Sequence, residues 1–453
     1  MRAHQLAIFG VIGVLGSACT LAVPGYSETA SQDPAPSSIP AGANTAPAGP
    51  ADPAPATSSA TASAPGESVP AAPTAPAALA TDFCDEVSFG KNAWVDARRE
   101  NVTLRYMPKT AAETDLETIA AVRNTLYVEI AAALGVAAPG NITIVLSPNR
   151  ATAQENGYGK GVAYASLNRI EVLWLGHPDS YEVASPGHEL THVIASKVDG
   201  QDHLPFLDEG LAELLDGSGR DLHEAYVRDL RAGMDSAYLT RFSDGDVWGD
   251  HYGRAGSFVK FLVARGGMTK FLEIWKANAV TWSGGGYLTK SGVGVKTGAD
   301  LETAIDKASR ATYGVGFEAL RLEWQTTLTP YLEAPAQTVT AEDAAAIGNV
   351  IANLDWADTH GNAAMLRSTM EGFYCDWQTD DSRAAIASSA VESRGNVQSQ
   401  VISLFPISRR NYSQAVAHTI RRETRSTGEI SYASKVWLEK FPMGWRVTYA
   451  DRY

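Results

Sequence analysis

SPGHELTHVIASKVDG, running from Ser185 to Gly200, is the stretch on which the fold turns. Ser185 and Pro186 read as a helix N-cap and first-turn residue, and Asp199–Gly200 as a stop, so a helix is expected between them. Inside it His188, Glu189, Leu190, Thr191 and His192 spell H-E-x-x-H. Four-residue spacing on a helix puts both imidazoles on one face, one turn apart, where they can grip a single Zn²⁺. Glu189 falls beside that face, placed to act as a general base toward water.

The next segment, LPFLDEGLAELLDG (Leu204–Gly217), reads as an amphipathic helix closed by glycine. Sixteen residues separate its Glu209 from His192, which leaves room for a turn and an antiparallel return. A hydrolytic zinc takes three protein ligands and keeps one position open, and Glu209 completes a His₂Glu set. Glu213 follows one turn later on the same face. A carboxylate there can accept the far ring proton of a ligating histidine and so fix its tautomer.

Upstream, the chain alternates between two periods. NVTLRYMP (Asn101–Pro108) is strand-like, and DLETIAAVRNTLYVEIAAALG (Asp115–Gly135) repeats apolar residues at helical spacing before a glycine stop. NITIVLS (Asn141–Ser147) reads as a buried strand, and GVAYASLNRIEVLWLG (Gly161–Gly176) as two short strands about Leu167–Asn168–Arg169. Helical patterns then dominate to about Glu333. One further block, HYGRAGSFVKFLVARGG (His251–Gly267), opens with two polar ring side chains ahead of an apolar helix.

HELTH followed by LDEGLAE resembles the signature of the zinc metallopeptidases called gluzincins, in particular the peptidase-MA-like family. That resemblance implies a zincin-like domain over residues 81–333, with one Zn²⁺ held by His188, His192 and Glu209 and with Glu189 as the catalytic base. It also puts Glu213 behind a ligating histidine. The Y-x-x-x-x-S-F-V-x-x-L pattern of His251–Gly267 resembles the tyrosine helix of the zinc aminopeptidases, which implies that Tyr252 donates a hydrogen bond to the developing oxyanion; His251 is the rival donor. The strands at Gly161–Leu173 stand where gluzincins keep the edge strand that pairs with substrate backbone. LETAIDKASRATYGVGFEALRLEWQTTL (Leu301–Leu328) is similar to the family's closing helices. A G-x-M-E-N segment is missing, and GKGVAYA (Gly159–Ala165) stands near its place, so an endopeptidase is expected rather than an aminopeptidase.

The ends of the chain differ from this middle. Arg2 and His4 precede an uncharged run, LAIFGVIGVLGSA, so residues 1–22 read as an export signal. GSAC, ending at Cys19, resembles a bacterial lipoprotein box: Cys19 is either lipidated or discarded with the signal. Residues 23–80 hold most of the proline-rich part (twelve of the chain's 22 prolines lie in the first 80 residues), and they read as a disordered tether. With Cys19 set aside, Cys84 and Cys375 are one pair in an exported chain, either bridged or buried as separate thiols. After a linker at APAQTVT (334–340), Thr340 and Asp343 start a helix, and the chain ends in long strands. WLEKFPMGWRV resembles the closing strands of nuclear-transport-factor-2-like, or cystatin-like, domains, through Trp437, Leu438, Lys440, Trp445, Arg446 and Val447.

The expected fold class is therefore α+β: a zincin-like domain, then a smaller cone-type α+β domain over 340–453. Across 453 residues, 45% are hydrophobic, enough for real cores, and the net charge of −14 (37 Lys and Arg against 51 Asp and Glu) excludes the basic stripes that nucleic acid requires. The expected partner is a peptide or protein substrate, met outside the cell or at its envelope, with membrane contact only through a lipid on Cys19. The competing expectation is a non-catalytic zincin scaffold whose last domain binds a ligand or partner. Intact His188, Glu189, His192, Glu209 and Tyr252 favour the enzyme.

Overall fold

A computed structural model describes residues 94–137, 139–148, 161–174, 185–233, 240–362, 365, 369, 396–407, 414–441 and 444–452. The signal, the tether, Cys19 and the Cys84–Cys375 pair lie outside the described residues. All described residues belong to one unit, Ala75–Tyr453.

The chain begins with the hairpin β1 (Val95–Arg99) and β2 (Val102–Tyr106), followed by the single turn α1 (Ala111–Thr114) and the helix α2 (Leu116–Leu134). Ile119, Leu126, Tyr127, Ile130 and Leu134 of α2 recur at helical spacing and are buried, and Gly135 ends the helix at φ 65° with its N–H turned back to the Ala131 carbonyl. Strands β3 (Ile142–Ser147), β4 (Gly161–Tyr164) and β5 (Arg169–Leu173) complete a five-stranded sheet in the order β1-β2-β3-β5-β4. β2, β3 and β5 run parallel and send Val102, Leu104, Ile142, Ile144, Leu146, Ile170 and Val172 into the core, while β1 and β4 are the antiparallel edges among the described residues. Asn168 makes the turn between β4 and β5 in the left-handed region, at φ 47°.

Helix α3 (His188–Asp199) follows, then the two-residue β6 (Asp202–His203), α4 (Pro205–Leu214) and α5 (Leu222–Arg231). Its N-cap corrects one expectation: α3 is entered from Gly187, and Ser185 instead turns its hydroxyl to Asp216, at 3.2 Å. The stop at Gly200 stands, with φ 71° and its N–H on the Ser196 carbonyl. Beyond the short α6 (Asp244–Val247), α7 (Tyr252–Ala277) runs through the middle of the core and breaks at Gly267. α4 and α7 approach so closely that a Cβ on Gly210 would stand 2.6 Å from the Ala255 carbonyl oxygen, and one on Gly256 2.9 Å from the Glu213 Cβ. Two glycines thus set the distance between the helix carrying Glu209 and the helix carrying Tyr252.

The expectation of helices alone up to Glu333 misses a second sheet. Strands β7 (Ala279–Ser283), β8 (Gly286–Thr289) and β9 (Gly294–Val295) join β6 in the order β6-β7-β8-β9. Gly284 (φ 56°) and Gly285 (φ 79°) form the two-residue turn, whose twist suits a tight hairpin. The strands are too short for alternation to be read, and only the glycine pair signals them. α8 (Gly298–Tyr313) and α9 (Phe317–Glu333) close this region. Trp324 of α9 is fully buried, stacks on Tyr226 and donates to the Ser257 hydroxyl at 3.0 Å.

After residues 334–340, α10 (Ala341–His360) is capped by the Thr340 hydroxyl, which accepts from the Asp343 N–H, as the sequence suggests. It lies on an antiparallel sheet of β10 (Val397–Ile407), β11 (Gln414–Arg425), β12 (Gly428–Phe441) and β13 (Gly444–Arg452). Ile347, Ile351, Leu354, Ala417, Val436, Leu438, Trp445 and Val447 form a core separate from the large one. Asp343 fastens the helix to the sheet, accepting from the Trp445 indole and the Lys440 ammonium, each at 2.8 Å. The other face of the sheet meets the end of α5: Ile407 and Val416 pack on Ala232, and the His418 ring donates to the Ala232 carbonyl at 2.9 Å. The protein is thus a mixed α+β chain with three sheets among its described residues. No helix among them is long and apolar enough to cross a membrane.

Candidate metal centre

His188 and His192 stand one turn apart on α3, their ring centroids 5.1 Å from each other. β6 turns the chain, Pro205 opens α4 at its first position, and α4 brings Glu209 back across the two rings. Glu209 Oε2 lies 3.2 Å from His188 Nε2 and 3.6 Å from His192 Nε2. One ligand atom from each of the three residues falls within 4.8 Å of the others, a group that could hold a metal ion. Ligands about 2.0–2.2 Å from a tetrahedral zinc stand about 3.3–3.5 Å apart. The two separations bracket that edge, so these residues fit the ion.

The far ring nitrogens are held as well. His192 Nδ1 donates to Asp208 Oδ2 at 2.9 Å, and His188 Nδ1 to Glu213 Oε1 at 3.1 Å. With Nδ1 carrying the proton, each Nε2 can offer its lone pair to a cation placed beside Glu209. Behind this pair sits a buried charge network. The Arg220 guanidinium pairs with Glu213 and, at 3.4 Å, with Asp216, which in turn accepts from Ser185. Glu213 is 1% exposed, and a carboxylate that deep persists only with partners of this kind.

The titration of the group carries the same mark. Burial by itself would lower the His192 imidazole, yet the Asp208 and Glu209 charges outweigh it and raise it well above its usual range. Burial would likewise lift Glu209, but the His192 and His188 rings hold its carboxyl well below the usual carboxylate range. Without a cation, the carboxylate and the rings share protons in a cramped space. A divalent ion replaces those protons with one compact charge.

Glu189 is 6% exposed in the first turn of α3, next to His188. Tyr252 begins α7, and its ring centroid lies 5.9 Å from that of His188. The Nδ1 of the rival His251 meets Asp246 Oδ1 and the Ser243 hydroxyl, each at 3.2 Å, within the cap of α6. Between α6 and α7 the chain passes Glu209 at Gly249, where φ is 81° and a Cβ would stand 3.0 Å from the Glu209 Cγ. β4 is the last strand of its sheet on the α3 side, and Lys197 of α3 donates to the Ala165 carbonyl just after it, at 3.0 Å.

The structure therefore brings together His188, His192, Glu209 and Glu213, with Tyr252 against the His188 ring. Sequence reasoning passed over Asp208, Asp216 and Arg220. Asp208 could have been found, since two ligating imidazoles need two outer acceptors and only Glu213 had been assigned. Arg220 gave no such signal, because its partners meet only after α4 has folded back.

Together the fold and the site define a mixed α+β protein with a His–His–Glu group able to hold a metal ion. No protein-family model matches the chain, and no curated protein matches it. Among solved structures, the IMPa metallopeptidase from Pseudomonas aeruginosa aligns at 12% identity and a TM-score of 0.19, covering 70% of this chain and 37% of that one. The chain thus spans little more than a third of that protein's length. A superposition so loose establishes no common fold, and the functional reading stands on the site itself.

Proposed function

We propose that this chain is an exported, zinc-dependent peptidase of the gluzincin type that cuts within peptide chains. The observation that carries the reading is the convergence of two Nε2 atoms and a Glu209 oxygen at ligand spacing, with both Nδ1 atoms tied to carboxylates. Zinc bound by His188, His192 and Glu209 would polarise the scissile carbonyl and acidify the attacking water. Glu189 takes the proton from that water and passes it to the leaving amine. Tyr252 donates a hydrogen bond from its phenol O–H to the developing oxyanion. Asp208 and Glu213 hold the two imidazoles in the ligating tautomer. The outer edge of β4, last in its sheet among the described residues, pairs with the backbone of an extended substrate.

In this reading residues 1–22 direct export, residues 23–80 tether the enzyme at or beyond the envelope, and residues 340–453 form an accessory domain. The substrate is a peptide or protein, and any membrane contact comes from a lipid on Cys19. Elemental analysis of the purified chain should find one zinc per molecule, strongly reduced in His188→Ala. Glu189→Gln should keep that zinc and lose about 10²–10⁴-fold in cleavage of a mixed-sequence quenched peptide library. Parent protein without stoichiometric metal, or Glu189→Gln cleaving as fast as the parent, would overturn the reading.

A further inference from the structure

The β7–β8 hairpin presents aromatic rings that the hydrolytic machinery does not use. Trp282 and Tyr287 are cross-strand partners on one face, their ring centroids 5.4 Å apart in an edge-to-face arrangement. Trp248, just after α6, completes the group at 5.8 Å from Trp282 and 5.5 Å from Tyr287, tilted against both. Trp282 is 60% exposed, whereas its two partners are half-buried. A single exposed apolar residue needs no explanation, but three grouped rings with the outermost open to water are an unused apolar surface.

Their position makes that surface relevant. Two separate connections tie the rings to the metal helices. Trp248 is bonded to Gly249, where an added Cβ would stand 3.0 Å from the Glu209 Cγ. β7 is hydrogen-bonded to β6, the link between α3 and α4, and the Leu204 N–H at the start of α4 donates to the Asn278 carbonyl beside β7, at 3.2 Å. The rings are therefore tied through two short connections to the helices that carry the candidate centre.

We propose that Trp248, Trp282 and Tyr287 form a specificity subsite that receives an aromatic or bulky aliphatic side chain of the peptide substrate, close to the scissile bond. This rests on the peptidase reading above. Ring faces and edges at these angles remove apolar area from water and contact an aromatic guest edge to face. One apolar side chain seated in such a site discriminates by about ten- to two-hundredfold.

The test uses the full zinc-loaded chain, with Trp282→Ala and Trp282→Phe. Because Trp282 is largely exposed, all three proteins should share zinc content and melting temperature. Cleavage sites in a degenerate peptide library should be enriched in Phe, Tyr, Trp or Leu at one position for the parent. The ratio of kcat/KM for a Phe peptide over its Ala counterpart should fall at least tenfold in Trp282→Ala and stay close to the parent's in Trp282→Phe. Saturation-transfer NMR with N-acetylphenylalanine amide, against N-acetylalanine amide, reads the same subsite without hydrolysis. Selective binding that vanishes in Trp282→Ala, in a protein that cleaves nothing, would leave the subsite standing and remove the peptidase reading. A parent without apolar preference, or one whose preference survives in Trp282→Ala, would overturn the subsite and leave the peptidase reading intact.

Discussion

Asp208 and Glu213 make the same kind of contact with a histidine of the candidate metal group but stand in different surroundings, so removing each charge should separate metal affinity from folding. Asp208 is 30% exposed on its side chain and meets His192 Nδ1 at 2.9 Å. Glu213 is 1% exposed and lies between His188 Nδ1 and the Arg220 guanidinium. Loss of an outer acceptor of this type costs about 10–100-fold in metal affinity, or about 1.4–2.7 kcal/mol. Asp208→Asn should therefore weaken zinc binding by that factor while leaving the unfolding free energy of the metal-free protein within about 1 kcal/mol of the parent. Glu213→Gln should weaken zinc comparably and also remove the buried Arg220 partner, leaving Asp216 as a carboxylate at 3.4 Å from Arg220. Breaking a buried pair costs about 3–5 kcal/mol, and the remaining carboxylate offsets part of it, so a loss of about 2–4 kcal/mol is expected. Zinc affinity is read by chelator competition, and stability by urea titration in excess chelator. Equal unfolding free energies for the two metal-free variants would refute the buried-network reasoning. Parent-like zinc affinity in both would refute the assignment of the outer acceptors.

Tyr252→Phe should retain zinc and lose about 10²–10³-fold in rate, and a parent-like rate would return the oxyanion role to His251. His223, 4% exposed, has its pKa lowered to about 4 by burial and by the Lys260 charge, with Asp221 opposing. Because the unfolded chain protonates near 6.5, the neutral ring's contribution is complete above that pH and is lost as pH falls toward 4. On the order of 2 kcal/mol of stability should disappear over that window, and His223→Asn should flatten the profile; an equal slope in parent and variant would show that another group titrates. Mass mapping without reductant should find Cys84 joined to Cys375, and two free thiols would refute the pairing.

Much of this molecule could be read before any coordinates. α2 and its Gly135 stop, the β4–β5 turn at Asn168, the Thr340 cap of α10 and the end of the helical region at Glu333 all depend on neighbours within a few residues, where periodicity and capping act. The metal helix was legible for the same reason: four-residue spacing sets which face His188 and His192 share, whatever surrounds them. Local rules failed where contacts are long-range. Ser185 looks like an N-cap, yet Asp216, thirty-one residues on, takes its hydroxyl. β6 has two residues and exists only because Val280 and Ala279 pair with it.

The chain's local chemistry therefore determined which residues can bind a metal and which helices carry them, because helix pitch and side-chain type are properties of short segments. Only the tertiary structure decided that Glu209 meets both rings, that Asp208 as well as Glu213 holds a ring, that Tyr252 stands against His188, and that Trp248, Trp282 and Tyr287 gather into one group. Each of those depends on how closely α4, α7 and the β7–β8 hairpin approach. The approach of α4 to α7 is set by Gly210 and Gly256, where one added methyl would collide with the facing helix.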